Sequence, residues 1–270
     1  MALKLFTFCV DIGRHSRQEL KTVLNLLVTS LEKFNKFKLC VFTNFPLKVD
    51  SNNVEILDYF DDNNKVYSDK WLNISFNKLF IYKHLYDQHR VDYIWIDLDT
   101  IITTNIEYIN DVGCYFVDCG GESLDPHQLI ENNNKYMIPR NKWLQGNIWK
   151  INIEFYEKIK HLLHIKFNYD LQSLFTYYLY YVLDGKLDTF TQNNIFVSGR
   201  NFKPKVLNGL CVWSKKGCDH PMPDGLNKMY RDGNVIRSSY YPGKEIHIIS
   251  FTFYKLKKLI GSDQFNKLFL

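Results

Sequence analysis

The 270-residue chain has no apolar run approaching the ~18 residues that a membrane-spanning helix requires. Its opening stretch, Met-Ala-Leu-Lys-Leu-Phe-Thr-Phe-Cys-Val, meets Asp11 and Arg14 at once. That is too short for a secretory leader and suits a first β-strand. There is no CxxC, and the six cysteines (Cys9, Cys40, Cys114, Cys119, Cys211, Cys218) lack zinc-site spacing. Most of them stand among apolar residues, which reads as free, partly buried thiols and a reducing, cytoplasmic setting. Lys and Arg together number 34 against 29 Asp and Glu, a net +5, but they are scattered. A nucleic-acid binder needs a concentrated basic face, so nucleic acid is excluded as an expected partner. Internal repeats and low-complexity linkers are also missing, so a single domain over 1–270 is expected.

What the chain does have is core material. Hydrophobic residues make up 46% and charged residues 23%, the proportions of a globular domain. Aromatics reach 16%, with 20 Phe, 18 Tyr and 5 Trp. Two uses are open for them: stacking surfaces for sugar or base rings, or a bulky core.

The first hundred residues alternate regularly. Residues 3–10 form a short apolar run. Leu20, Val23, Leu24, Leu27, Val28 and Leu31 recur at helical spacing within 18–34. Lys38–Thr43 and Val54–Asp58 read as strands, Ser75–His89 as a helix, and Val91–Ile96 as a fourth strand running into Asp97-Leu98-Asp99. Strand, helix, strand, strand, helix, strand predicts a mostly parallel α/β sheet flanked by helices, with ligands at the carboxyl ends of the strands. The second half is less periodic. Gly113–Val117 reads as a strand, 120–134 as a loop, 149–164 and 171–183 as helices, and 195–197 and 206–207 as short strands. Residues 213–244 read as a loop able to close as a lid, and Glu245–Ser250 as a late strand. The amphipathic tail 255–270 packs on the domain or touches a membrane surface or partner.

Tyr93-Ile-Trp-Ile-Asp97-Leu98-Asp99-Thr100 is the feature that carries most chemistry. Two carboxylates at a strand end, where the backbone turns, can reach one ion, and hard oxygen donors suit Mn²⁺ or Mg²⁺. Such an ion can bridge the phosphates of a nucleotide diphosphate as it leaves.

In this motif and in its layout the chain resembles the GT-A glycosyltransferases, with a DxD closing the fourth strand of a Rossmann-like sheet. The resemblance implies transfer of a sugar from a nucleotide-diphosphate donor, a UDP-sugar, to a glycan or other hydroxyl acceptor. It implies a nucleotide-binding half over 1–112 and an acceptor-binding half over 113–270. Asp97 and Asp99 would hold the metal. His247, in Ile246-His247-Ile248, matches the late histidine of the glycogenin-like branch, which follows it with a Gly and a Lys-Pro pair where this chain has Ile-Ile-Ser-Phe-Thr-Phe-Tyr-Lys255.

The donor contacts implied by the same resemblance are Thr7, Phe8, Val10 and Asp11 for the base and ribose and Leu98 within the motif. Lys78 (with Arg14 a second basic residue) would face the diphosphate, and Gln145, Gly146 and Asn147 the sugar. Trp143 would stack on an acceptor. Asn147 also reads as a helix N-cap. Asp170, in Asn168-Tyr-Asp170-Leu-Gln172-Ser173, is the expected catalytic base, with Asp118 and Glu122 as competitors; Asp170 also fits a helix N-cap. His161 and His164 share a helix face, more in keeping with solvent than with metal.

Two other readings stay open. A haloacid-dehalogenase-type phosphatase also places Asp-x-Asp after an apolar strand, but on its first strand and with one more residue before the Thr. A carbohydrate-binding protein without catalysis would keep the fold and the aromatics.

Overall fold

A computed structural model describes residues 2–61, 70–118, 127–131, 134–138, 144–164, 171–178, 195–198, 209–214, 229–233, 235–238 and 245–251; within 127–131, 134–138, 195–198, 209–214 and 245–251 it describes the backbone alone. A central seven-stranded sheet has the order β10-β6-β9-β4-β1-β2-β3. Its strands are β1 (Leu3–Cys9), β2 (Phe37–Thr43), β3 (Val54–Asp58), β4 (Ile94–Ile96), β6 (Cys114–Asp118), β9 (Leu144–Lys150) and β10 (Ile195–Ser198). β1 pairs in parallel with β2 and β4, β2 with β3, and β6 with β10. β9 runs antiparallel between β4 and β6. Both halves of the sequence contribute strands to this sheet.

The helices are α1 (Arg17–Phe34), α2 (Lys70–His89), α3 (Ile153–Ile159) and α4 (Leu171–Tyr177), with short 3₁₀ turns at Glu107–Asp111 and Lys160–His164. A second sheet orders β11 (Gly209–Ser214), β14 (Glu245–Phe251), β13 (Val235–Ser238) and β12 (Met229–Asp232), with β5 (Thr100–Ile102) also paired to β14. β7 (His127–Glu131) and β8 (Asn134–Ile138) form a hairpin.

The period-two pattern of the strands sorts the core into two chemistries. On one face, Leu3, Leu5, Leu39, Val41, Ile94, Ile96 and Ile148 meet the apolar stripe of α1. On the other, Phe6, Phe8, Phe42, Trp95, Phe116 and Trp149 pack with Tyr82, Phe155 and Phe175 from the helices. The aromatic richness of the sequence therefore goes largely into one packed face, mostly as edge-on ring pairs such as Phe6–Trp149 and Trp149–Phe175.

α1 starts where a capping box forms. Ser16 Oγ accepts from Glu19 N at 3.2 Å, and Glu19 Oε2 accepts from Ser16 N at 2.8 Å. Further along, buried Ser30 accepts from Ile102 N at 3.1 Å and donates to Leu27 O at 2.7 Å. This tie fixes β5 against α1, and with it the turn that joins β4 to β5.

Four expectations change. Residues 144–150 are strand β9 where the sequence suggested a helix beginning at Trp149. The helix starts at Ile153, capped by Asn152, whose Oδ1 accepts from Phe155 N at 2.8 Å; Asn147 is a strand residue. The polar segment 120–134 contributes β7 to a hairpin, and 213–244 contains β12 and β13. Hairpins like these are fixed by their partner strands, not by apolar periodicity.

Lys150 on β9 is 7% exposed. Its ammonium donates to the carbonyls of Ile109, Asn110 and Val112 at 3.2, 3.0 and 2.7 Å, closing the 3₁₀ turn under β6. Burial pulls its pKa below the ordinary lysine value. Lys150→Met removes this shared donor from the three carbonyls, at a cost of roughly 2–3 kcal/mol. We expect a melting temperature lower by about 5–10 °C in a thermal melt.

Candidate active site

The carboxyl ends of β1 and β4 lie side by side, because Leu5 pairs with Ile94 and Phe6 with Trp95 in parallel register. Val10 and Asp11 leave that edge from β1, and Asp97-Leu98-Asp99 leaves it from β4 as the turn into β5. The turn is pinned from the next strand: Asp97 N donates to Asn147 O at 2.7 Å.

Asp97 is held by two donors on one oxygen. Lys78 Nζ, from α2, lies 3.0 Å from Oδ1, and Trp95 Nε1 lies 2.9 Å from the same atom. The indole N–H is shared with Gly146 O at 3.0 Å, and the Lys78 ammonium stands 4.1 Å from the centroid of the Trp95 ring. Among the described residues nothing donates to Asp97 Oδ2. Asp99 is half-buried, and burial together with the neighbouring Asp97 carboxylate pushes its pKa up to about 7, against the weaker opposing pull of its own amide and of Lys78. The cluster therefore holds two carboxylates against one ammonium.

Gly146 is required by packing. A Cβ there would lie 2.7 Å from Gln172 Cγ on α4, which rests on β9 at this point. α4 is also tied to α2, since Leu171 N donates to Ser75 Oγ at 3.0 Å, one helical turn from Lys78. β4, β9, α2 and α4 thus converge on the aspartate turn.

The other anticipated residues fall as follows. Thr7 and Phe8 are buried on opposite faces of β1, and Phe8 packs against Trp95 and Tyr59. Asp11 sits at the edge, its oxygens accepting from Gly13 N at 3.0 Å and Arg17 Nε at 2.9 Å; the Arg17 bond and the Gly13 amide hold its carboxyl below the usual range. Leu98 packs on the aliphatic core. Gln145 lies on β9, paired with Val117. Asp118 ends β6. His161 is exposed. Trp143, Glu122, Asp170, the strand expected at 206–207 and the tail 255–270 lie outside the described residues.

His247 lies on β14. β14 runs antiparallel to β5 with Ser250 opposite Thr100 and Ile248 opposite Ile102. Ser250 is therefore the β14 residue nearest Asp99 on this ladder. His247 is the extra residue of a bulge against β11, beyond the ladder's far end, about 10 Å of strand from Ser250.

Sequence reasoning passed over Trp95 and Gln172. For Trp95 a signal was there: its place two residues before Asp97 puts both side chains on one side of the strand.

Among the described residues no helix is long and apolar enough to cross a membrane, and no group of three or more His, Cys, Asp and Glu side chains could hold a metal ion. No family model matches the sequence, and no curated protein does. Among solved structures the chain is similar to the apo form of the bifunctional glycosyltransferase WbbM, at a TM-score of 0.55 and 12% identity. The match covers 96% of this chain and 50% of that one, so this chain spans about half the neighbour's length. What the two share is a fold: a mixed α/β fold built on a mostly parallel central sheet.

Proposed function

We propose that this protein is a metal-dependent glycosyltransferase that moves a sugar from a nucleotide-diphosphate donor, a UDP-sugar, to a hydroxyl acceptor such as a glycan. The observation that carries the reading is the cluster at the carboxyl edge of β4: Asp97 and Asp99 on one turn, with Lys78 bound to Asp97 at 3.0 Å. The donor set fits Mn²⁺ or Mg²⁺. It offers hard oxygens and two carboxylates against one ammonium, and burial and the neighbouring Asp97 carboxylate hold the Asp99 pKa above the ordinary aspartate value. Two protein carboxylates suffice where diphosphate oxygens and water complete the shell. When bound, the ion would neutralise charge developing on the leaving diphosphate.

The chain's own groups supply the rest. The carboxylates of Asp97 and Asp99 would hold the cation. Lys78, beside them, donates to a diphosphate oxygen as the glycosidic bond to it breaks. Asp11 keeps lone pairs for ribose hydroxyls although Arg17 and Gly13 already bind it. Asp170 is assigned as the base that takes the acceptor proton. The strand count supports this reading over a phosphatase, because three strands precede β4, which the aspartates follow.

The test is calorimetric titration of UDP with and without Mn²⁺, on wild type and on Asp99→Asn. Micromolar binding that needs both the ion and the carboxylate supports the reading. Ion-independent binding, or none with UDP, GDP, CDP or dTDP, overturns it. The ladder position of His247 adds a second expectation: His247→Ala should leave Mn²⁺ affinity within about twofold of wild type by the same titration, since a lost metal ligand would cost tenfold or more.

A further inference from the structure

We infer that Trp95 is a positioning residue for the aspartate turn: its indole N–H and its ring together fix Asp97 and Lys78 so that one oxygen of Asp97 is left facing ligand. This rests on the nucleotide-sugar reading above.

The argument begins with the division of the Asp97 carboxylate. Both donors, Trp95 Nε1 and Lys78 Nζ, land on Oδ1. A carboxylate held by one oxygen from two directions cannot swing about its χ2 axis without breaking both bonds. The second oxygen is then presented in a set direction before any ligand arrives, and the ordering is not charged to binding. Lys78 alone would not do this. Its side chain is long and flexible, and its ammonium has three rotatable donors. What restrains it is the face of Trp95, 4.1 Å from the ammonium to the centroid, a cation–π distance.

Trp95 is itself immobilised. It is 2% exposed, meets Phe6 and Phe8 edge-on at 5.1 and 4.8 Å, and stacks on Trp149 at 6.3 Å. Its N–H also reaches Gly146 O, so the same atom joins β4 to the β9 residue that Gln172 presses upon. Core filling alone does not account for the indole. The neighbouring Trp149 fills the same aromatic face while its Nε1, fully buried, finds no partner among the described residues. Two stacked tryptophans thus differ in one respect: one N–H is aimed at the aspartate turn and the other is not.

That difference supplies the experiment. Trp95→Phe and Trp149→Phe remove the same atoms from the same stack, but the first also removes the bond to Asp97. In the full chain, Mn²⁺–UDP binding by calorimetry should weaken about tenfold in Trp95→Phe, the weight of one hydrogen bond to a charged group, and stay within about twofold in Trp149→Phe. Equal losses in both variants would make Trp95 a packing residue and overturn the inference. So would wild-type binding in Trp95→Phe, with the glycosyltransferase reading left intact. If wild type binds neither ion nor nucleotide, that reading fails and the positioning role falls with it. Should Trp95→Phe not fold, 5-fluorotryptophan labelling of the five indoles decides. Asp97→Ala should move the Trp95 signal more than the Trp149 signal, and an unmoved Trp95 signal overturns the inference.

Discussion

Asp99→Asn should make the metal-free protein more stable at pH 8 while removing its response to Mn²⁺. The sign follows from the direction of the pKa shift. The Asp99 carboxyl is raised to about 7 in the folded chain by burial and by Asp97, while an unfolded chain ionises it near the ordinary aspartate value of 3.8. Between those values unfolding releases a proton, so the fold loses stability as pH rises from about 4 to about 7, and the loss is complete above 7. Below pH 4 both states are protonated and the group contributes nothing. An amide at this position cannot ionise and escapes the loss. A rise of that size would be worth ~4 kcal/mol in full, and the partial exposure of the carboxyl reduces this to about 1–2 kcal/mol. That corresponds to a melting temperature higher by about 3–6 °C in the variant at pH 8, and no difference at pH 4. Saturating Mn²⁺ inverts the order. Wild type gains about 3 kcal/mol when the ion is a hundredfold above its dissociation constant, and the variant gains little. A variant less stable than wild type at pH 8 without metal would show that the carboxylate is well satisfied inside the protein. Equal gains with Mn²⁺ would show that Asp99 is not a ligand.

This opposition between stability and binding explains which parts of the molecule are legible in its sequence. The α1 stripe, the capping box at Ser16 and the apolar strands β1, β2 and β4 all agree locally with the fold, and their periodicity gives them away. Asp97 and Asp99 stand out for the opposite reason, as charges where an apolar run ends. β9 was hidden because its sequence, Leu-Gln-Gly-Asn-Ile-Trp-Lys, answers to neighbours and not to its own pattern. It inserts antiparallel between β4 and β6, with a register shift between Phe116 and Val117, its Lys150 serves distant carbonyls, and its Gly146 makes room for Gln172. None of these contacts is local. His247 shows the limit of pattern: a histidine in a late strand fits the pattern of a metal ligand, while a one-residue bulge and the register against β5 decide which end of the strand it occupies. The contact of Gln172 with Gly146 required coordinates because a glutamine in a helix is unremarkable by type.

Lys78→Met should separate the two ligands of the site by moving their affinities in opposite directions. The Lys78 side chain is 14% exposed and that of Asp97 30%, so the pair is only partly screened by water. Methionine keeps most of the stem that packs over Trp95 and removes the charge. With the ammonium gone, Asp97 keeps the indole bond, and the turn goes from two negative charges against one positive to two unopposed. Free Mn²⁺ should then bind about three- to tenfold more tightly, because a like charge has left its neighbourhood. UDP, titrated with the ion saturating, should bind about 10- to 100-fold more weakly, because its diphosphate loses a charge-assisted donor. Lys78→Arg should restore most of the nucleotide affinity and Asp97→Asn should lower both. If Lys78→Met also weakened both ligands, the lysine would act only by holding Asp97 in place. If it weakened neither, the 3.0 Å contact would be a surface ion pair of small consequence, and the diphosphate would have to be met by the ion alone. The opposite movement of the two affinities is what a shared anion and cation site requires, because one charge cannot favour both.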